Sequence, residues 1–168
     1  TTATSRDHKP IAWRVGGSTD ILAVGCYQVQ GQDAYVTVGA RHIRCWTLSV
    51  SDEEKKTHEL NYSKAIFGEF DAYVTFLCVT FADGLVVIGA DNGSIYLMSD
   101  NRIVSVVPCA HASTVNQGLP VLALDYVKGS SQIISSGSDG KVVFWDLSGT
   151  DEGVKLERRQ GAYDLGDI

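Results

Sequence analysis

The sequence predicts an all-β repeat protein, and three observations predict it. The first is a β-hairpin written out between Ser131 and Ser148, SQIISSGSDGKVVFWDLS. Ile133-Ile134 opens one strand, and Gly137-Ser138-Asp139-Gly140 supplies a turn whose Asp and Gly tolerate the backbone angles of a tight reversal. Val142, Val143 and Phe144 form the return strand, β-branched and aromatic as a half-buried sheet requires. The second observation is that two weaker copies lie upstream, AYVTVGARHIRCWTLS from Ala34 and GLVVIGADNGSIYLMS from Gly84. Their turn-opening glycines, with that of the last copy, are Gly39, Gly89 and Gly137, spaced 50 and 48 residues apart. The third is that no segment carries a helical period.

A period near this length means a repeat architecture, in which each unit buries its apolar face only against its neighbours. The last copy ends in Trp145-Asp146, the dipeptide of WD40 propeller blades. The predicted fold is therefore a WD40 β-propeller, partial, with about three four-stranded antiparallel blades at approximately 11–66, 67–108 and 109–160 and a tail at 161–168. Closed propellers have about four to eight blades. Three blades leave two apolar faces open, so the expected cover is the remaining blades or further copies of the chain. The chain starts without Met, which suggests a processed or excerpted piece.

Taken in order, Ile11–Val15 reads as a short outer strand and Gly16-Gly17-Ser18 as a breaker. Ile21–Tyr27, ILAVGCY, is a continuous apolar run expected to form an inner strand covered on both faces. Tyr35–Val38 and Ile43–Leu48 make the first hairpin, turning near Ala40-Arg41-His42. SDEEKK, from Ser51 to Lys56, is a solvated charged loop, and 58–66 holds an edge strand. Thr75–Phe81 is the second inner strand; Leu85–Ile88 and Ser94–Met98 pair around Asp91-Asn92-Gly93, with Ile103–Val107 outside them. Thr114–Leu119 is a long loop, Leu122–Val127 the third inner strand and Lys155–Arg159 a last outer strand.

Composition is that of a globular soluble chain: 44% hydrophobic, 20% charged, with too much apolar content for intrinsic disorder. No apolar run approaches a membrane span, and the first ten residues lack a signal-peptide core. The net charge of −6 argues against a nucleic-acid partner, which would require a concentrated basic surface. Cys26, Cys45, Cys78 and Cys109 show no metal spacing, and the first three sit in apolar runs. They read as buried reduced thiols of an intracellular protein.

Three phrases carry a family resemblance: VTVGARHIRCWTLS, then IFGEF, then TFLCVTFADGLVVIGADNGSIYLM followed by CAHA. Together they resemble the EMAP-like proteins, the family of the echinoderm microtubule-associated protein. The match runs from about Tyr35 to Leu147, and it departs at Ala65, where the family's break begins with glycine. The resemblance implies a pair of fused propellers that associate with microtubules, without catalysis and without cofactors. It implies protein partners such as tubulin or axonemal proteins, and a cytoplasmic, cytoskeletal location that extends to the cilium. The trimerising coiled coil and hydrophobic motif of that family are not found in these residues.

The WD40 pattern implies a structural network of His111, Ser135, Asp139 and Trp145, in which Asp accepts from His and the hydroxyl accepts from the indole. These residue types also make up a Ser/His/Asp triad, but no nucleophile-elbow glycines or oxyanion donors surround Ser135. No catalytic, cofactor-binding or metal-ligating residue is expected. Ala40 stands six before Trp46 where an Asp would serve, and Met98 replaces the Trp of the second unit. Those two blades are expected to rely on apolar packing. Arg41, His42 and Arg44, with Lys55 and Lys56, are the candidate contacts for an acidic partner. The competing function is a propeller enzyme or ligand-binding propeller using the central channel. That would need polar and acidic residues converging at the inner-strand starts; Ile21, Thr75 and Leu122 begin those strands and offer no such set.

Overall fold

A computed structural model describes residues 12, 14–15, 17–29, 31–52, 57–70, 73–114, 117–150 and 153–159. The first sheet runs β1 (Ile21–Val29), β2 (Gln32–Gly39), β3 (His42–Asp52) and β4 (Thr57–Lys64). The second runs β5 (Phe76–Ala82), β6 (Leu85–Ala90), β7 (Ile95–Ser99) and β8 (Arg102–Val107). A two-stranded ladder, β9 (Ala112–Thr114) with β10 (Gln117–Gly118), forms where the sequence suggested only a loop. The third sheet runs β11 (Val121–Val127), β12 (Gln132–Gly137), β13 (Val142–Thr150) and β14 (Gly153–Arg158). Each four-stranded sheet is an antiparallel meander in chain order. Among the described residues there is no helix, and therefore none long and apolar enough to cross a membrane. The fold is an open, partial propeller.

The three inner strands share one irregularity. A register shift falls between Ile21 and Ala23, between Phe76 and Cys78, and between Val121 and Ala123. A bulge at the same place in each repeat bends the strand and strengthens its twist.

The core lies between sheets. Val36, Val38, Ile43 and Cys45 of the first sheet meet Phe76, Val86, Ile88, Tyr96 and Met98 of the second. On the other face of the second sheet, Val87, Ile95 and Leu97 meet Val121, Ile133, Val143 and Trp145. With neighbours on both faces, every residue of LVVIGA in β6 is buried. This is why that strand reads as an unbroken apolar run rather than an alternation.

The run ILAVGCY is different. Ala23 and Tyr27 pack toward the second sheet. Leu22 is 50% and Val24 69% exposed, and Cys26 is exposed as well. The expectation that β1 is covered on both faces, with Cys26 buried, is corrected accordingly. Alternate side chains of a strand point to opposite faces, and among the described residues nothing packs on the outer face of β1. Cys45 is buried, and Cys78 and Cys109 are intermediate. The proposed strand at Ile11–Val15 falls partly outside the described residues; Ala12, Arg14 and Val15 are not in a strand. The outer position of the first sheet belongs to β4.

Candidate functional site

The polar cluster of the third sheet draws on two of its strands, the turn between them and the segment before β9. His111 lies just before β9, Ser135 on β12, and Trp145 on β13; Asp139 lies in the turn between β12 and β13. Register places Ile133 opposite Trp145 and Ser135 opposite Val143, so hydroxyl and indole share the face turned toward the second sheet. Trp145 Nε1 donates to Ser135 Oγ at 2.7 Å. His111 Nε2 lies 2.7 Å from the same oxygen, and His111 Nδ1 lies 2.7 Å from Asp139 Oδ1. Carboxylate on Nδ1 fixes the tautomer: Nδ1–H donates to Asp139, and Ser135 O–H donates to Nε2. The Lys141 N–H also donates to Asp139 Oδ1, at 3.2 Å. Burial alone would raise the Asp139 carboxyl; the bonds from His111 and the Lys141 N–H outweigh it and hold the group below its ordinary value. Gly137 makes the close approach possible, since a Cβ there would lie 2.5 Å from the His111 ring.

Hydroxyl to imidazole to carboxylate is also the order of a hydrolytic triad. Access decides against it here. Ser135 is 1% exposed and His111 fully buried, and the indole N–H occupies the oxygen that would attack. A nucleophile needs a site beside it where a reacting carbonyl can sit.

The first sheet carries a related cluster that the sequence reading missed. Trp46 Nε1 donates to Thr37 Oγ1 at 2.8 Å, and Thr37 Oγ1 lies 2.8 Å from His42 Nε2. Here the histidine comes from the first position of β3, inside the same sheet, rather than from the connection before the inner strand. The signal was Thr37 nine residues before Trp46, against ten from Ser135 to Trp145; an Asp six before the Trp is no part of this cluster. His42, expected as a partner contact, is 3% exposed and faces inward. Burial, and then the neighbouring Arg44 charge, lower its pKa. The second sheet has an apolar equivalent. Met98 and Ile88 face the first sheet with Tyr96, whose ring meets Phe76 edge-on at 5.3 Å, and Phe67 stacks on Phe76 at 5.8 Å.

Of the other basic candidates, Arg41 is exposed in a left-handed turn at φ 50°, and Arg44 is half-buried with its guanidinium 4.3 Å from the centre of the Tyr62 ring. Lys55 and Lys56 lie outside the described residues. Among the described residues, no group of three or more His, Cys, Asp or Glu side chains could hold a metal ion. The inner-strand positions Ile21 and Leu122 present exposed aliphatic surface.

Comparison with known proteins agrees with this architecture. No protein-family model matches the chain. It is 26% identical to the human echinoderm microtubule-associated protein-like 2 over 176 residues, covering 98% of this chain and 24% of that protein. The rat protein of the same name is 27% identical over 131 residues, covering 76% of this chain and 18% of that one. The chain thus spans about a quarter or less of the length of the curated relatives it matches. Among solved structures, U3-55K superposes with a TM-score of 0.51 at 14% identity, over 74% of this chain and 37% of that one. The WD40 β-propeller domain of Doa1 gives 0.51 at 13% identity, over 83% and 40%. The chain is a WD40-repeat segment that resembles the EMAP-like proteins.

Proposed function

We propose that this chain is part of a non-catalytic protein-interaction scaffold that associates with microtubules. The observation that carries the non-catalytic reading is the burial of Ser135 between the His111 imidazole and the Trp145 indole. The chain's one Ser/His/Asp constellation among the described residues serves to hold strands together. The microtubule reading rests on the similarity to echinoderm microtubule-associated protein-like 2. Residues 11–66, 67–108 and 109–160 are taken as one blade each. The outer face of β1, with Leu22 and Val24 in water, is taken as the seat of a further blade or another copy of the chain.

Charge sets the expected strength. A chain of net charge −6 has no long-range attraction to an acidic tubulin surface, so binding by this segment depends on local basic positions. Co-sedimentation with polymerised tubulin should show weak pelleting at low ionic strength that fades as salt screens the contact. Charge reversal at Arg41 and Arg44 should abolish it. Tight pelleting unaffected by those reversals contradicts the electrostatic account; no pelleting at any ionic strength contradicts microtubule association by this segment.

A further inference from the structure

The end of the first sheet that carries the Ala40–Arg41 turn gathers positive charge in a chain that is acidic overall. Arg44 and Lys64 are direct cross-strand partners on β3 and β4. Like charges directly opposite each other weaken an antiparallel pair. Arg41 joins them, and all three line one cleft of about 320 Å³ whose far wall is the Gly17–Thr19 segment. Among the described residues, no carboxylate lines this cleft. Among the described residues, none of the three cations has a carboxylate within 4.0 Å, including Asp20 next to the far wall. His42 also lines the cleft, but its Nε2 is turned to Thr37, and burial, then the Arg44 charge, lowers its pKa.

The central cation is held in place. One face of the Arg44 guanidinium lies over Tyr62. A Cβ at position 17 would sit 2.8 Å from Arg44 Nη2, and the backbone there has φ +114°, so glycine allows the guanidinium to lie against the chain. Arg14 stacks on the same tyrosine at 5.1 Å and donates from Nη1 to the Leu60 carbonyl at 3.2 Å. Stacking fixes the plane of a guanidinium while leaving its N–H edge to donate, which is the geometry that grips a carboxylate.

We propose that this cleft receives the carboxylate side chains of an acidic peptide segment on a partner protein, with Arg44 as the anchoring fork and Arg41 and Lys64 as flanking cations. Its volume is at the small end of ligand cavities, which run from about 300 to 1,000 Å³. It therefore takes one or two side chains of an extended segment. The proposal deepens the scaffold reading and rests on it for the existence of a protein partner.

The test uses the whole 168-residue chain and a fluorescent oligoglutamate peptide, read by anisotropy at low ionic strength. Saturable binding is expected, weakened about tenfold by Arg44→Gln, the equivalent of a lost charge-assisted contact of ~1.4 kcal/mol. Lys64→Gln should weaken it several-fold, while Lys128→Gln, exposed on the turn of the third sheet, should leave it unchanged. A urea midpoint for Lys64→Gln that is unchanged or raised, as relief of the like-charge pair with Arg44 would give, shows that loss of binding is not loss of fold. Absence of saturable binding, or equal weakening by Lys128→Gln, overturns the proposal. Inorganic phosphate competing as well as oligoglutamate at equal charge overturns its peptide part. Because the peptide assay contains no tubulin, the two readings fail separately. Peptide binding lost in Arg44→Gln upholds the cleft even if the chain does not pellet with microtubules. Pelleting without peptide binding overturns the cleft alone.

Discussion

Replacing Asp139 with alanine tests whether the third sheet's polar cluster is structural. The carboxylate accepts the His111 Nδ1–H at 2.7 Å and the Lys141 N–H at 3.2 Å. His111 is fully buried, so its Nδ1–H loses an acceptor that the ring cannot exchange for bulk solvent without local opening. A hydrogen bond to a charged group contributes about 1.5–3 kcal/mol, and an orphaned buried donor costs a similar amount. The two figures describe largely the same loss, so the expected destabilisation is about 2–3 kcal/mol. The comparison is Asp91→Ala in the second sheet. Asp91 Oδ1 accepts only the Thr75 N–H among the described residues, at 3.1 Å and in an exposed position where water can take over. That loss should be about 0.5–1 kcal/mol. With a urea m-value of roughly 2 kcal/mol/M, the midpoint should fall by about 1 M for Asp139→Ala and by less than half that for Asp91→Ala. Asp139→Asn, which keeps an acceptor oxygen, should recover part of the loss. Equal shifts for the two alanine variants, measured by tryptophan fluorescence and far-UV circular dichroism, would refute the assignment of the cluster as a stabilising unit.

Two further outcomes are expected. His42 has a folded pKa below its ordinary value of about 6.5, so the neutral ring contributes stability above that pH, and this is lost as pH falls toward the lowered folded value. The urea midpoint should therefore drop as pH falls below about 6.5, and it should drop less in His42→Gln; identical slopes would show that His42 does not titrate with folding. Burial pushes the Cys45 and Cys78 thiols up to about 11, whereas Cys26 is exposed. A thiol reagent at neutral pH should label Cys26 rapidly and leave Cys45 and Cys78 until the chain unfolds, as peptide mapping can verify.

The sequence by itself determined the repeat. Turn-forming glycines at nearly constant spacing, β-branched runs and a Trp-Asp dipeptide are local signals, and local chemistry forms hairpins wherever it occurs; β13 itself runs past that dipeptide to Thr150. The spacing of His111, Ser135, Asp139 and Trp145 is likewise set by the length of one hairpin and the connection before it. Tertiary structure decided what depends on neighbours. The burial of LVVIGA and the exposure of Leu22, Val24 and Cys26 look alike in sequence, because an apolar run does not reveal whether a second sheet covers it. His42 reads as one more polar residue in a basic turn. Only the pairing of β2 with β3 places Thr37 between its imidazole and the Trp46 indole. Lys64, twenty residues from Arg44, enters the basic cleft through the register of β3 with β4. The buried and exposed runs depend on a face that another sheet does or does not cover, and Lys64 on a register between strands twenty residues apart; the His42 cluster is local to one hairpin and depends on which of its side chains turn inward.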